Sequence, residues 1–331
     1  MESRAPTIAT ERTPRTAAGR PRSVAARRLR ERAIVGTLAV ATTFSILITT
    51  GIVLILARET VGFFRFPDVS VAEFLAGTEW NPLLGNEKHF GVLPLVTGTL
   101  LVTVVAAAVA LPLGLVAAIY LSEYAGRRVR AAVKPALEIL AGIPTVVYGF
   151  FALTVLTPAL QRTNPLIQWA TGDDSAGFGS YNVLAAGVAT GVMILPIVCS
   201  LAEDALRAVP RSLRDGAFAL GGTRFDVSVK VVVPAALSGI VAAFLLAITR
   251  AVGETMIVAL AAGGIARMAW NPVGEAQTMT AYMVQIFLGD APTTGVEYKS
   301  SYAVAAALFA MTLVLTMAGQ AVLRRFREAY D

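Results

Sequence analysis

Six long apolar runs dominate the chain, and the segments between them hold most of its charged residues. The runs lie near residues 33–57, 95–121, 136–156, 181–201, 235–262 and 301–323. A helix needs about 20 residues to cross the hydrocarbon core, so each run predicts one transmembrane helix. Ahead of the first run, residues 1–32 lack apolar periodicity and are rich in Arg, Ala, Thr and Pro, which predicts a disordered basic tail. An Arg-rich, acid-poor start also suits an organelle transit peptide. The tail, however, runs straight into an apolar stretch without a small-residue cleavage site, which favours a retained cytoplasmic segment. Residues 33–331 then form a single transmembrane domain, and the expected fold is an all-α polytopic membrane protein.

Composition agrees with that pattern. The 331 residues are 56% hydrophobic and 15% charged, with a mean hydropathy of +0.66. Soluble domains carry nearer a quarter charged residues, so the apolar excess belongs in lipid or against other subunits. The net charge of +6 raises the possibility of a nucleic-acid partner, but the placement of the charges argues against one. Lys and Arg number 21 in segments 1–32, 122–135, 202–234 and 324–331, against 6 in the alternating loops. By the positive-inside rule this asymmetry puts both termini in the cytoplasm. The single cysteine, Cys199, lies in an apolar run and is expected to pack as a small core residue. The single histidine, His89, stands in an external loop with no second ligand at metal-site spacing, and is expected to be solvated. No G-x-x-x-x-G-K-[ST] occurs, and one loop histidine supports no catalytic triad. The expectation is a non-enzymatic chain without metal or cofactor.

The segment Leu201–Leu237, "LAEDALRAVPRSLRDGAFALGGTRFDVSVKVVVPAAL", is the longest of the basic loops. Pro210 and Ser212 suit a helix start, Leu213, Ala217 and Leu220 fall on one face, and Gly221–Gly222 stops the helix. A second helix opens after Thr223, and Pro234 marks entry into the fifth span. The pattern gives a short helix–turn–helix whose apolar face is ringed by Arg214, Arg224 and Lys230. An interfacial helix lying on lipid would read the same way. The loop resembles the E-A-A-x3-G-x9-I-x-L-P signature of ABC importer permeases. It stands here as Asp215-Gly216-Ala217, Gly221 and Val231-x-Val233-Pro234, with the spacing intact. The resemblance implies a type I importer permease fold with six spans, in which this helix docks on a separate ATPase. Gly216 departs from the motif and weakens the helix by about 1 kcal/mol relative to Ala.

Three further stretches resemble the phosphate-specific permeases of that class: Phe90–Ala125, "LEILAGIPTVVYGFFAL" (Leu137–Leu153) and "PAALSGIVAAFLLAITRAVGETMIVALAAGG" (Pro234–Gly264). The wording "GIPTVVYGFFAL" and "GETMIVALAAGG" is nearer the PstC type than the PstA type. The resemblance implies inorganic phosphate as substrate. It also implies a PstA-type second permease, two copies of a PstB-type ATPase and a PstS-type extracytoplasmic phosphate-binding protein as partners. Independently of it, Arg250 and Glu254 are ionisable groups inside the fifth apolar run, four apart and so on one helix face. A mid-bilayer charge costs at least about 2.5–3.5 kcal/mol and usually faces a bundle interior or a wet cavity. They pair with each other or tie two helices together, or Arg250 meets a crossing oxyanion with its planar fork while Glu254 moderates it, holding the arginine in place or accepting a proton from the substrate. Two other functions fit parts of the pattern: a permease for molybdate, sulfate or phosphonate, and a passive channel or scaffold.

Overall fold

The computed structural model describes residues 24–82, 88–173, 176–289 and 292–325. The chain divides into two compact units, Met1–Ile55 and Leu56–Asp331. The described part of the first unit belongs to helix α1 (Val24–Phe63). Its start corrects the expected tail, because residues 24–32 are helical. That stretch, "VAARRLRER", is rich in Ala, Arg, Leu and Glu, which favour helix, so the helix extends well ahead of its apolar run. Residues 1–23 of the tail lie outside the described residues.

In the second unit the segment that follows α1 is folded. It carries α2 (Val71–Ala76) and a two-residue antiparallel pair, β1 (Trp80–Asn81) with β2 (His89–Phe90). Phe63, Phe74, Trp80, Phe90 and Tyr282 are buried there edge to face, with ring centroids 4.9–6.3 Å apart. His89 is half-exposed as expected, but its ring stands between Glu73 (3.5 Å) and Glu79 (3.8 Å).

Helix α3 (Leu93–Ile119) widens into a π turn at Tyr120–Tyr124. Next, α4 (Arg127–Gly142) and α5 (Thr145–Phe151) meet at Ile143 and Pro144. A residue before proline avoids the helical region, and Ile143 is extended (φ −66°, ψ 129°). The expected third span is therefore bent, by 87° between Arg127–Gly142 and Thr145–Gln161. A π turn at Ala152–Leu156 joins α5 to α6 (Thr157–Gln161), and α7 (Asn164–Thr171) follows. Helix α8 (Val183–Ala208) is the best-buried long helix and packs along α3 through small side chains such as Ala106, Ala110, Ala186 and Ala189. Small residues let two backbones approach closely where lipid offers no hydrophobic drive. Cys199 is fully buried on α8, in the packing its apolar surroundings predict.

After α8 come α9 (Arg211–Ala219), α10 (Arg224–Val227), a π turn at Ser228–Val232, α11 (Val233–Ala235) and α12 (Leu237–Val252). The chain closes with α13 (Met256–Ala261), α14 (Met279–Leu288) and α15 (Val296–Arg325). Among the described residues, four helices are long and apolar enough to cross a membrane, and counting each bent pair as one crossing gives six. The second bent pair joins Arg224–Ala235 to Leu237–Val252 at 70°, just past Pro234.

Candidate functional site

Arg250 and Glu254 do not lie on one continuous helix. Helix α12 ends at Val252, Gly253 follows, and α13 begins only at Met256, so the two charges flank a break. Arg250 Nη1 stands 3.0 Å from Glu254 Oε2. Glu254 Oε1 accepts hydrogen bonds from the backbone N–H groups of Met256 (3.1 Å) and Ile257 (3.4 Å). Its carboxylate thus covers orphan donors at the start of α13, where the helix dipole favours negative charge, while Arg250 occupies the last turn of α12, where it favours positive charge. Both charges gain from the same interruption. The pair is lopsided in burial: the Glu254 side chain is 2% exposed and that of Arg250 42%. The acid is anchored inside the chain and presents the guanidinium outward.

Residues that sequence reasoning missed hold the break open. Thr280, at the start of α14, donates its hydroxyl to the Glu254 carbonyl at 2.6 Å. Thr278 caps α14 through the Ala281 N–H, and Thr99 of α3 accepts from Met279 N–H at 3.0 Å. The "TMT" wording carries a capping signal that could have located α14. On the other side, α13 rests on α5 at Gly149. A Cβ there would lie 3.1 Å from both the Cα of Ile257 and the carbonyl oxygen of Met256, so the contact requires glycine or a displaced α13. A cavity of about 400 Å³ opens between α4, α8 and α12, lined by Leu137, Glu138, Pro196, Glu203 and Leu246. Leu246 precedes Arg250 by one helical turn.

The second group of predicted residues lies at the other end of α12, about 20 Å from Arg250 along the helix axis. Asp215, Gly216 and Ala217 all lie on α9, Gly221 adopts the left-handed conformation (φ 84°) that ends it, and Pro234 opens α11. The Gly221 and Gly222 N–H groups close the last turn on the Phe218 and Ala217 carbonyls. Ala217 packs inward on the core formed by Val209, Val227 and Val232. Asp215 is exposed and makes no side-chain hydrogen bond or ion pair within the described residues. The exposed apolar residues are Leu220 (92%), Phe225 (65%), Phe218 and Leu213, so the expected apolar face is broader than the helical periodicity indicates and Ala217 is not on it. Arg214 also departs from expectation. It turns inward rather than ringing that face, donating to the Leu206 and Val209 carbonyls and to Glu123. Asp226 accepts from Lys230 Nζ at 2.6 Å and from the Thr223 hydroxyl.

Residues 110–328 match the family described as binding-protein-dependent transport system inner membrane component. The chain belongs to that family. This permease is 34% identical over 269 residues to a probable ABC transporter permease, YqgH, of Bacillus subtilis, covering 81% of this chain and 83% of the relative. It is also 34% identical over 261 residues to the phosphate transport system permease protein PstC of Mesorhizobium japonicum, covering 76% and 78%. Its fold is shared with a chain of a bacterial alginate ABC transporter solved with a pentasaccharide-bound periplasmic protein (TM-score 0.62, 13% identity, covering 92% and 99%). Family and apolar helices together make the permease a multi-pass protein of the bacterial inner membrane.

Proposed function

We propose that this permease is the PstC-type subunit of an ATP-driven phosphate importer, and that Arg250 is the group its substrate meets in the membrane. The observation that carries the reading is the break between α12 and α13. There a buried Glu254 fixes an Arg250 that remains part-exposed at the edge of the chain. A fork that is always charged and suited to bidentate contact matches a tetrahedral oxyanion. Partial neutralisation by Glu254 keeps binding weak enough for passage. Because the second oxygen of Glu254 is occupied by two backbone N–H groups, its role is to orient the arginine rather than to exchange protons with substrate.

The PstC naming of relatives supports phosphate over other oxyanions. It also supports a PstA-type second permease, two PstB-type ATPase subunits and a PstS-type binding protein as partners. The α9 helix, with its free Asp215 and exposed Leu220, is the surface that docks the ATPase. The excess of Lys and Arg in alternate segments supports cytoplasmic termini. The test is Arg250→Gln in the assembled complex reconstituted in vesicles. Phosphate uptake should fall to background while all subunits still co-purify, and wild-type uptake should be inhibited by arsenate but not by molybdate or sulfate. Normal transport by Arg250→Gln sinks the assignment of Arg250, and competition by molybdate or sulfate sinks the choice of phosphate.

A further inference from the structure

Two arginines at the end of α8 farthest from Asn182 make matching contacts. Arg214, on α9, donates to the last carbonyls of α8, Leu206 (2.7 Å) and Val209 (2.5 Å), and pairs with Glu123 in the π turn that ends α3 (3.1 Å). Arg130, on α4, donates to the last carbonyls of α3, Leu121 (3.0 Å from Nε) and Ser122 (3.2 Å), and stands 3.1 Å from Glu203 on α8. Each arginine therefore covers the open carbonyls of one long helix and engages a carboxylate carried by the other. Helices α3, α4, α8 and α9 are joined at one place by groups that cannot separate singly without leaving buried polar atoms unmet.

The two halves are not equally satisfied. Arg214 and Glu123 are mutually hydrogen-bonded through two contacts. Glu203 is 2% exposed, yet its Oε1 accepts no hydrogen bond. The Arg130 Nε–H next to it points at the Leu121 carbonyl instead, and Arg207 stops at 3.6 Å. A buried carboxylate oxygen left without a donor costs free energy in this arrangement, and a modest rotation of Arg130 would satisfy it. From Arg130 a continuous chain of contacts leads to the membrane site. Helix α4 is tied across its bend to α5 by the Tyr148 hydroxyl on the Leu140 carbonyl (2.8 Å), α5 supports α13 at Gly149, and α13 carries Glu254 at its start.

We propose that Arg214–Glu123 and Arg130–Glu203 form a two-position clamp that transmits displacement of α9 to the α12–α13 break. Glu203 Oε1 is the acceptor that Arg130 takes up in the other position. All four are positioning residues, since none touches substrate. The proposal rests on α9 being the ATPase-docking helix. It supplies the two-state element that coupling between distant sites requires.

The test uses the full complex in proteoliposomes with its cognate binding protein, measuring ATP hydrolysed and phosphate taken up by the same preparation. Arg214→Lys keeps the charge but cannot reach two carbonyls and a carboxylate together. Uptake should fall about ten-fold with ATPase activity changed less than about two-fold. Glu203→Gln, which fills the reserve position with a neutral amide, should also raise the ATP consumed per phosphate. The double variant Arg214→Lys with Glu123→Gln should be no worse than Arg214→Lys alone, because both break one contact. The clamp is wrong if uptake and hydrolysis fall in parallel, or if the Arg214 and Glu123 effects multiply. If the wild-type complex takes up no phosphate, the substrate reading fails instead. The clamp is then judged at the break itself: ATP should change maleimide labelling of Met256→Cys, 38% exposed, in the otherwise wild-type complex but not when Arg214→Lys is added, and a change that persists with Arg214→Lys overturns it.

Discussion

At the residue scale, the chemistry of the break turns on how Glu254 divides its two oxygens. One holds Arg250 and the other caps α13. Glu254→Gln keeps an acceptor for the Met256 and Ile257 N–H groups but gives up the ion pair. Glu254→Ala removes both and leaves two amides unmet at a helix start. We expect Glu254→Gln to assemble normally and to lower uptake by freeing the guanidinium. Glu254→Ala should in addition lose about 1–2 kcal/mol of stability, mostly from the cap, since the part-exposed arginine is screened. The pH profile separates orientation from proton transfer. With an orienting carboxylate, Glu254→Gln lowers uptake by a constant factor between about pH 6 and 8, where phosphate changes charge. A factor that changes across that window means the carboxylate exchanges a proton with substrate. Sequence spacing alone gave the pairing of these two residues correctly and their setting incorrectly. An i, i+4 pair with Gly253 between them suits a continuous helix. At the interruption the Glu254 carbonyl is taken by the hydroxyl of Thr280, 26 residues away, a contact that spacing cannot show.

At the scale of elements, what could be read from the chain depended on whether the deciding interaction was local. The α9 helix was legible because its start at Pro210 and its stop at Gly221 are both backbone constraints within the segment itself. The bend at Pro144 had the same local cause, although its extent depends on packing. The inward course of Arg214 was not legible, because its acceptors are the terminal carbonyls of α8 and Glu123, 91 positions upstream. Gly216 offers a clean test of local preference. Its backbone φ is not positive, and nothing lies within 4 Å of a Cβ built there. Gly216→Ala therefore meets no steric obstacle and gains about 1 kcal/mol of helix preference. Backbone amides of α9 should exchange about five-fold more slowly by hydrogen–deuterium exchange, with no change elsewhere. Faster exchange in α9 would mean that the helix depends on a close approach to residue 216.

At the scale of the whole molecule, the assignment of α9 and of the Arg250 break to one transport pathway has a geometric requirement. If α9 docks the ATPase as proposed, it must face the compartment that holds ATP, while the segment following α13 faces the binding protein. Charge placement supports that arrangement, and side-selective labelling decides it. The protein is suited to the experiment because its only cysteine, Cys199, is fully buried and should remain silent to aqueous thiol reagents. Leu220, just past α9, is 92% exposed and Trp270, between α13 and α14, is 77% exposed, so each accepts a cysteine without disturbing the core. In intact cells a membrane-impermeant maleimide that reaches the periplasm should label Trp270→Cys and spare Leu220→Cys. In inverted vesicles the preference should reverse. The chain end is placed by the same labelling: if Arg224–Val252 and α15 each cross once, it returns to the Leu220 side. A thiol placed at Arg324 should then share the labelling of Leu220→Cys. Should it instead share that of Trp270→Cys, α15 makes no net crossing between Trp270 and Arg324, and the six-crossing reading is wrong.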